Sequence, residues 1–116
     1  MGNNYILAVD PRGYNVEMWP AKWEHLSNKH PDLIKYGITE DDLKYTIEQP
    51  IHGLIYQSKS YPENCCLYYS RNRKTYKHAE LLVVVKFVLN IGEIVTFHFC
   101  GKRAPGEVII WPSIKS

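Results

Sequence analysis

The chain has 116 residues, 45% of them hydrophobic, with 14 Lys and Arg against 12 Asp and Glu, a net charge of +2. Such values describe one compact domain with a buried core and exclude both a disordered chain and a global polycation. Any electrostatic function must therefore come from where the charges sit.

In chain order, Tyr5 to Val9 reads as a strand, Asp10-Pro-Arg-Gly13 as a turn, and Tyr14 to Met18 as a weaker returning strand. Pro20 suits the first turn of a helix that runs to about Lys29 and stops before Pro31. Thr39 is the N-cap of a second helix; Glu40, Asp41 and Asp42 complement its dipole and Pro50 ends it. Strands follow at Ile51 to Lys59, Cys65 to Arg71, Glu80 to Leu89, Glu93 to Cys100 and Val108 to Trp111. Between them lie a turn at Ser60 to Asn64, a basic loop at Arg71 to His78, a hairpin loop Asn90-Ile91-Gly92 and a loop at Gly101 to Gly106. Helices come early and strands late. The expected fold is a single α+β domain over residues 1–116, two early helices packed on a mainly antiparallel four-stranded sheet, with an N-terminal hairpin.

The three cysteines, Cys65, Cys66 and Cys100, form no C-x-x-C pair, so a zinc ribbon is not expected and a reduced, cytoplasmic compartment is the default. The longest apolar run, Leu81 to Val85, is too short to span a bilayer, and no N-terminal run resembles a signal peptide. No membrane partner is expected.

Two of the five histidines stand in Trp23-Glu-His25-Leu-Ser-Asn-Lys-His30-Pro31. A helical metal site stacks histidines four apart. Five apart, at about 100° per residue, they diverge by roughly 140° and cannot share one ion. No metal and no cofactor is expected. On the helical wheel Trp19, Trp23, Leu26 and His30 make the core-side stripe, while Lys22, His25 and Lys29 make a basic, solvent-facing one. His30 reads as a helix-end histidine that stabilises the dipole's negative end. His25 reads from composition as a solvated surface residue, whose flanking lysines would suit an anionic ligand.

Strand alternation sets Lys86 on one face of Glu80 to Leu89, and Thr96 and His98 on one face of Glu93 to Cys100. A three-residue hairpin loop pairs Leu89 with Glu93, which puts Lys86 opposite Thr96 and His98 opposite Val84. Tyr68 and Ser70 are candidates for the same polar face. A cation, a hydroxyl and an imidazole gathered there suit phosphate chemistry. Arg71, Arg73, Lys74, Lys102 and Arg103 surround it with positive charge, and with Tyr68 they are the candidate substrate-binding residues.

The order of these pieces, a tryptophan, H-x4-HP at a helix end, a helix ending in Pro, then strands with "YY", "LLVVVKF" and "EIVTFHF", resembles the phage-associated branch of the barnase–EndoU–colicin–RelE-like (BECR) nuclease superfamily, from Trp23 to Trp111. The resemblance implies helices followed by a four-stranded antiparallel sheet and metal-independent RNA cleavage, often by toxins or phage-encoded factors. It implies His25 as the helix histidine, Lys86 as the strand cation and Thr96 as the hydroxyl. It does not extend to His98, and Phe97 stands where the family pattern is smaller.

The expected activity is a metal-independent endoribonuclease that works by 2′-OH transesterification to a 2′,3′-cyclic phosphate. His25 or His98 serves as acid or base, Lys86 and Arg71 as phosphate electrophiles, and Thr96 as a positioning hydroxyl. RNA is the expected partner, with an inhibitor or antitoxin protein as a further candidate. The competing expectation is a non-catalytic RNA-binding or protein-interaction module on the same surface.

Overall fold

A computed structural model describes residues 4–71, 74 and 79–112. Its elements are β1 (Tyr5–Val9), β2 (Asn15–Met18), α1 (Lys22–Lys29), α2 (Pro31–Lys35), α3 (Glu40–Glu48), β3 (Ile55–Gln57), β4 (Cys65–Ser70), β5 (Glu80–Val88), β6 (Ile91–Cys100) and β7 (Val108–Trp111). The fold is α+β, with helices on a mixed sheet of seven strands in the order β1-β2-β6-β5-β4-β3-β7. The expected four-stranded sheet is thus extended at both ends. The N-terminal hairpin joins the same sheet because β2 pairs in parallel with β6, Val16 beside Gly92, and β7 adds antiparallel to β3.

Three helices stand where two were expected. Pro31 ends α1 and also opens α2 as its first residue, since proline lacks only an N–H that has no partner in a first turn. At α3 the Asp42 carboxylate accepts the Thr39 backbone N–H at 2.7 Å and the Thr39 hydroxyl at 3.1 Å, which fixes the helix start. The expected strand from Ile51 shortens to Ile55–Gln57 because Ile51–Gly53 forms a tight 3-10 turn, with Gly53 N–H bonded to the Pro50 carbonyl at 2.8 Å.

The core lies between the helices and one sheet face. Leu26, Leu33, Ile38, Leu43 and Ile47 pack against Cys66, Tyr68, Leu81, Val83, Val85, Ile94 and Phe97. The opposite face of β4 and β5 is buried too: Cys65, Leu67, Tyr69, Leu82 and Val84 lie under Ile51, Tyr56, Tyr61 and Ala104. Strands covered on both sides account for the unbroken Leu-Leu-Val-Val-Val run. The adjacent Cys65 and Cys66 point to opposite faces, each into its own cluster, and burial pushes both thiols up from their ordinary range.

The β1–β2 turn is pinned to β4 by a buried polar cluster. The Tyr68 hydroxyl donates to the Asp10 carboxylate at 2.8 Å, and the same carboxylate pairs with Arg12 at 2.7 Å. Arg12 also lies over the rings of Tyr14 and Phe87, 4.6 and 4.9 Å from their centroids. Along β6 the pairing with β2 stops at Glu93. Beyond that point α1 flanks the edge, with Trp23 stacked on Phe97 at 5.4 Å. Among the described residues no helix is long and apolar enough to cross a membrane.

Candidate functional site

The seam between α1 and β6 brings two imidazoles together. His30, at the corner where α1 meets α2, has its ring centroid 5.4 Å from that of His98 on β6. Both are half-buried. His98 Nδ1 lies 3.0 Å from the Phe99 carbonyl oxygen. A carbonyl only accepts, so Nδ1 carries the hydrogen and Nε2 of the neutral ring is the nitrogen with a lone pair to offer. The pair therefore presents one nitrogen set up as a proton acceptor beside a second imidazole able to donate. No third His, Cys, Asp or Glu completes a metal-binding group among the described residues.

The helix histidine that meets the sheet is His30, not His25. His25 is exposed on the outer stripe of α1 with Lys22 and Lys29. The core-side stripe carries His30 inward with Trp23 and Leu26, and a helix-end histidine thereby becomes a partner of the strand. The stripe was the signal in the sequence; the five-residue spacing drew attention to the wrong relation, between two helix histidines rather than between helix and strand.

Lys86 does not face Thr96. The hairpin turns through Leu89 and Asn90 alone, so Val88 pairs with Ile91 and Lys86 with Glu93. A bulge between Val84 and Val85 then takes up one residue of β6, so Thr96 pairs with Val84 and His98 with Leu82. Lys86 stands four residues along β5 from the partner of His98, about 13 Å at ~3.3 Å per residue. Side chains that stand roughly perpendicular to the sheet at that spacing do not converge on one phosphate. The bulge also moves Ile94 into the core and leaves Val95 exposed. Thr96 and His98 keep a common face, two residues apart. Lys86 instead shares a cavity of about 190 Å³ with Lys22, Glu93, Ile94 and Val95, near the start of α1.

The other expected contacts divide. Tyr68 is fully buried on the helix side of β4, bonded to Asp10 and Arg12, and is no part of an exposed face. Alternation from Cys66 carries it there. Ser70 is likewise buried, 2.6 Å from the Thr46 hydroxyl. Arg103 is held by Glu80 at 2.9 Å and Glu107 at 3.2 Å and lies over the Tyr69 ring at 4.1 Å, so its charge is spent within the fold. Lys74 pairs with Asp42 at 2.9 Å. Arg71 and Lys102 are exposed. Arg73 and most of the basic loop lie outside the described residues.

The sequence and the fold, compared with known proteins, match no family model, no curated protein and no solved structure.

Proposed function

We propose that this chain is a metal-independent endoribonuclease that cleaves RNA by transesterification, with His98 and His30 as its acid–base pair. The single observation that carries this reading is their 5.4 Å approach between the end of α1 and β6. His98 Nε2 takes the proton of a ribose 2′-hydroxyl. The 2′-oxygen bonds to the adjacent phosphorus as the bond to the 5′-oxygen breaks, and His30 gives that leaving oxygen a proton. The products are a 2′,3′-cyclic phosphate and a free 5′-hydroxyl. Imidazole fits both roles because its ordinary titration spans the neutral range. Thr96, on the same face as His98, positions a phosphate oxygen. Lys22 and Lys86, at the other end of the seam, hold a neighbouring phosphate rather than the reacting one. The resemblance to the BECR superfamily adds a toxin or phage-related setting, with RNA as substrate and an inhibitor or antitoxin protein as a further partner, in the cytoplasm.

The test is incubation of the protein with total RNA and with tRNA in EDTA, followed by analysis of product ends. Fragments ending in 2′,3′-cyclic phosphate are expected. Intact RNA together with no binding at low salt would sink the proposal. That outcome would favour the second reading, a protein-interaction module, which draws on the exposed apolar hairpin tip of Val88, Leu89 and Ile91.

A further inference from the structure

We propose that a cavity of about 240 Å³ at the C-terminal end of α3 binds a nucleoside phosphate, independently of the histidine seam. Its rim carries Arg71, His52, Tyr45 and Gln49. Each supplies a different part of such recognition. Of the three arginines in the described residues, Arg12 and Arg103 are each bound to carboxylates, whereas Arg71 is exposed and has no carboxylate within ion-pair range among the described residues. Its planar fork is the group that grips a phosphate through two bonds. His52 stands exposed at φ 57°, ψ 13°. A residue other than glycine seldom adopts that backbone, which fixes the direction in which the His52 side chain leaves the chain. Tyr45, half-exposed on α3, offers a ring face on which any base can stack. The Gln49 amide supplies both a donor and an acceptor for the base edge or the ribose hydroxyls.

The floor is rigid. The Thr46 hydroxyl donates to the Asp42 carbonyl at 2.7 Å, so the 2.6 Å bond to Ser70 uses the Ser70 proton. That leaves Ser70 with only acceptor capacity, suited to a ribose hydroxyl and not to a phosphate. The carbonyl end of α3 also borders the cavity and opposes an anion, but with about half a unit charge against a full guanidinium. The phosphate accordingly belongs with Arg71 and His52, the nucleoside with Tyr45, Gln49 and Ser70.

The probes are adenosine 5′-monophosphate, adenosine, inorganic phosphate and a short single-stranded oligoadenylate, each titrated at low salt while backbone amide NMR shifts are followed. The monophosphate should move the signals of Tyr45, Gln49, His52 and Arg71 and bind more tightly than adenosine or phosphate. Arg71→Ala should weaken it at least about 10-fold, the loss expected for one charged hydrogen-bond partner. His52→Gly should weaken binding while raising the melting temperature, because glycine adopts that backbone without strain. Binding of the oligoadenylate but not of the monophosphate, with the same dependence on Arg71, would assign the cavity to a nucleotide within a strand and support the proposal. Absence of shifts with either at millimolar concentration, equal affinity for phosphate and monophosphate, or unchanged affinity in Arg71→Ala would overturn it. The outcomes with the monophosphate, adenosine and inorganic phosphate do not depend on whether the protein cleaves RNA.

Discussion

At His98 a single hydrogen bond decides which nitrogen keeps a lone pair for the proposed proton transfer. With Nδ1 committed to the Phe99 carbonyl, Nε2 is the nitrogen left as a base, and the His30 ring centroid lies 5.4 Å from that of His98. His98→Ala and His30→Ala should each lower single-turnover RNA cleavage by about 10²-fold or more, the usual worth of a positioned acid or base. His25→Ala should leave the rate within about threefold, since an exposed charge on the α1 stripe contributes through weak, screened attraction. The reverse ranking, with His25 dominant, would return the site to the helix surface. Lys86→Ala tests its distance from the pair: it should raise KM, leave kcat unchanged and reduce the slope of log affinity against log salt by about one. A fall in kcat at saturating RNA would show that Lys86 meets the reacting phosphate after all.

At the scale of elements, the β5–β6 hairpin explains both what the sequence disclosed and what it concealed. The two strands were plain, β5 from its unbroken apolar run and β6 from its alternation, and the early helices from Pro20, Thr39 and Pro50. The register was not. The residue at positive φ in the turn is Leu89, at 57°, where glycine or asparagine would have marked a two-residue loop. The bulge left no mark either, because Ile94 and Val95 are both β-branched and apolar, and only packing decides which goes inside. Parallel pairing of β2 on β6 joins strands separated by most of the chain, a relation that local pattern cannot disclose. Gly92, beside the turn, tests the register directly. A Cβ there would come within 2.6 Å of Val85 Cγ1 and 2.8 Å of the Phe87 ring. Gly92→Ala should therefore cost about 1–3 kcal/mol in urea unfolding. A neutral change would argue that Gly92 does not pack inward opposite Phe87.

Across the molecule, the fold keeps the phenols of Tyr5, Tyr61, Tyr68 and Tyr69 neutral to higher pH than in the unfolded chain. Burial first, then the neighbouring Glu40, pushes Tyr5 up to about 12. Burial is also the leading cause of the upward shifts of Tyr61, Tyr68 and Tyr69; the Asp10 charge adds to it at Tyr68, and Glu107 at Tyr69. Unfolded tyrosines release their protons near pH ~10. Between that pH and the folded values the native state binds more protons than the unfolded state, so the slope of stability against pH is negative. The stabilisation is complete below about pH 10 and is lost as pH rises through the folded values, about 12 for Tyr5. Burial raises Cys65, Cys66 and Cys100 in the same sense, so a shallower decline should begin near the ordinary thiol range of ~8.5. Urea midpoints measured from pH 8 to 12, with phenolate absorbance read in parallel, should fall most steeply above pH 10, and the late-titrating phenols should appear only as the chain unfolds. Tyr68→Phe tests the deepest of them at neutral pH. It removes the hydroxyl that Asp10 accepts at 2.8 Å and leaves a buried carboxylate short of one donor, at about 1–3 kcal/mol. Asp10→Asn should cost more, about 3 kcal/mol, the lower end for a broken buried ion pair, because it leaves the partly buried Arg12 charge without its counter-ion. If both variants unfolded at the parent's urea midpoint, the β1–β2 turn would not be held to β4 by this cluster. The alkaline decline would then have to come from phenols other than Tyr68.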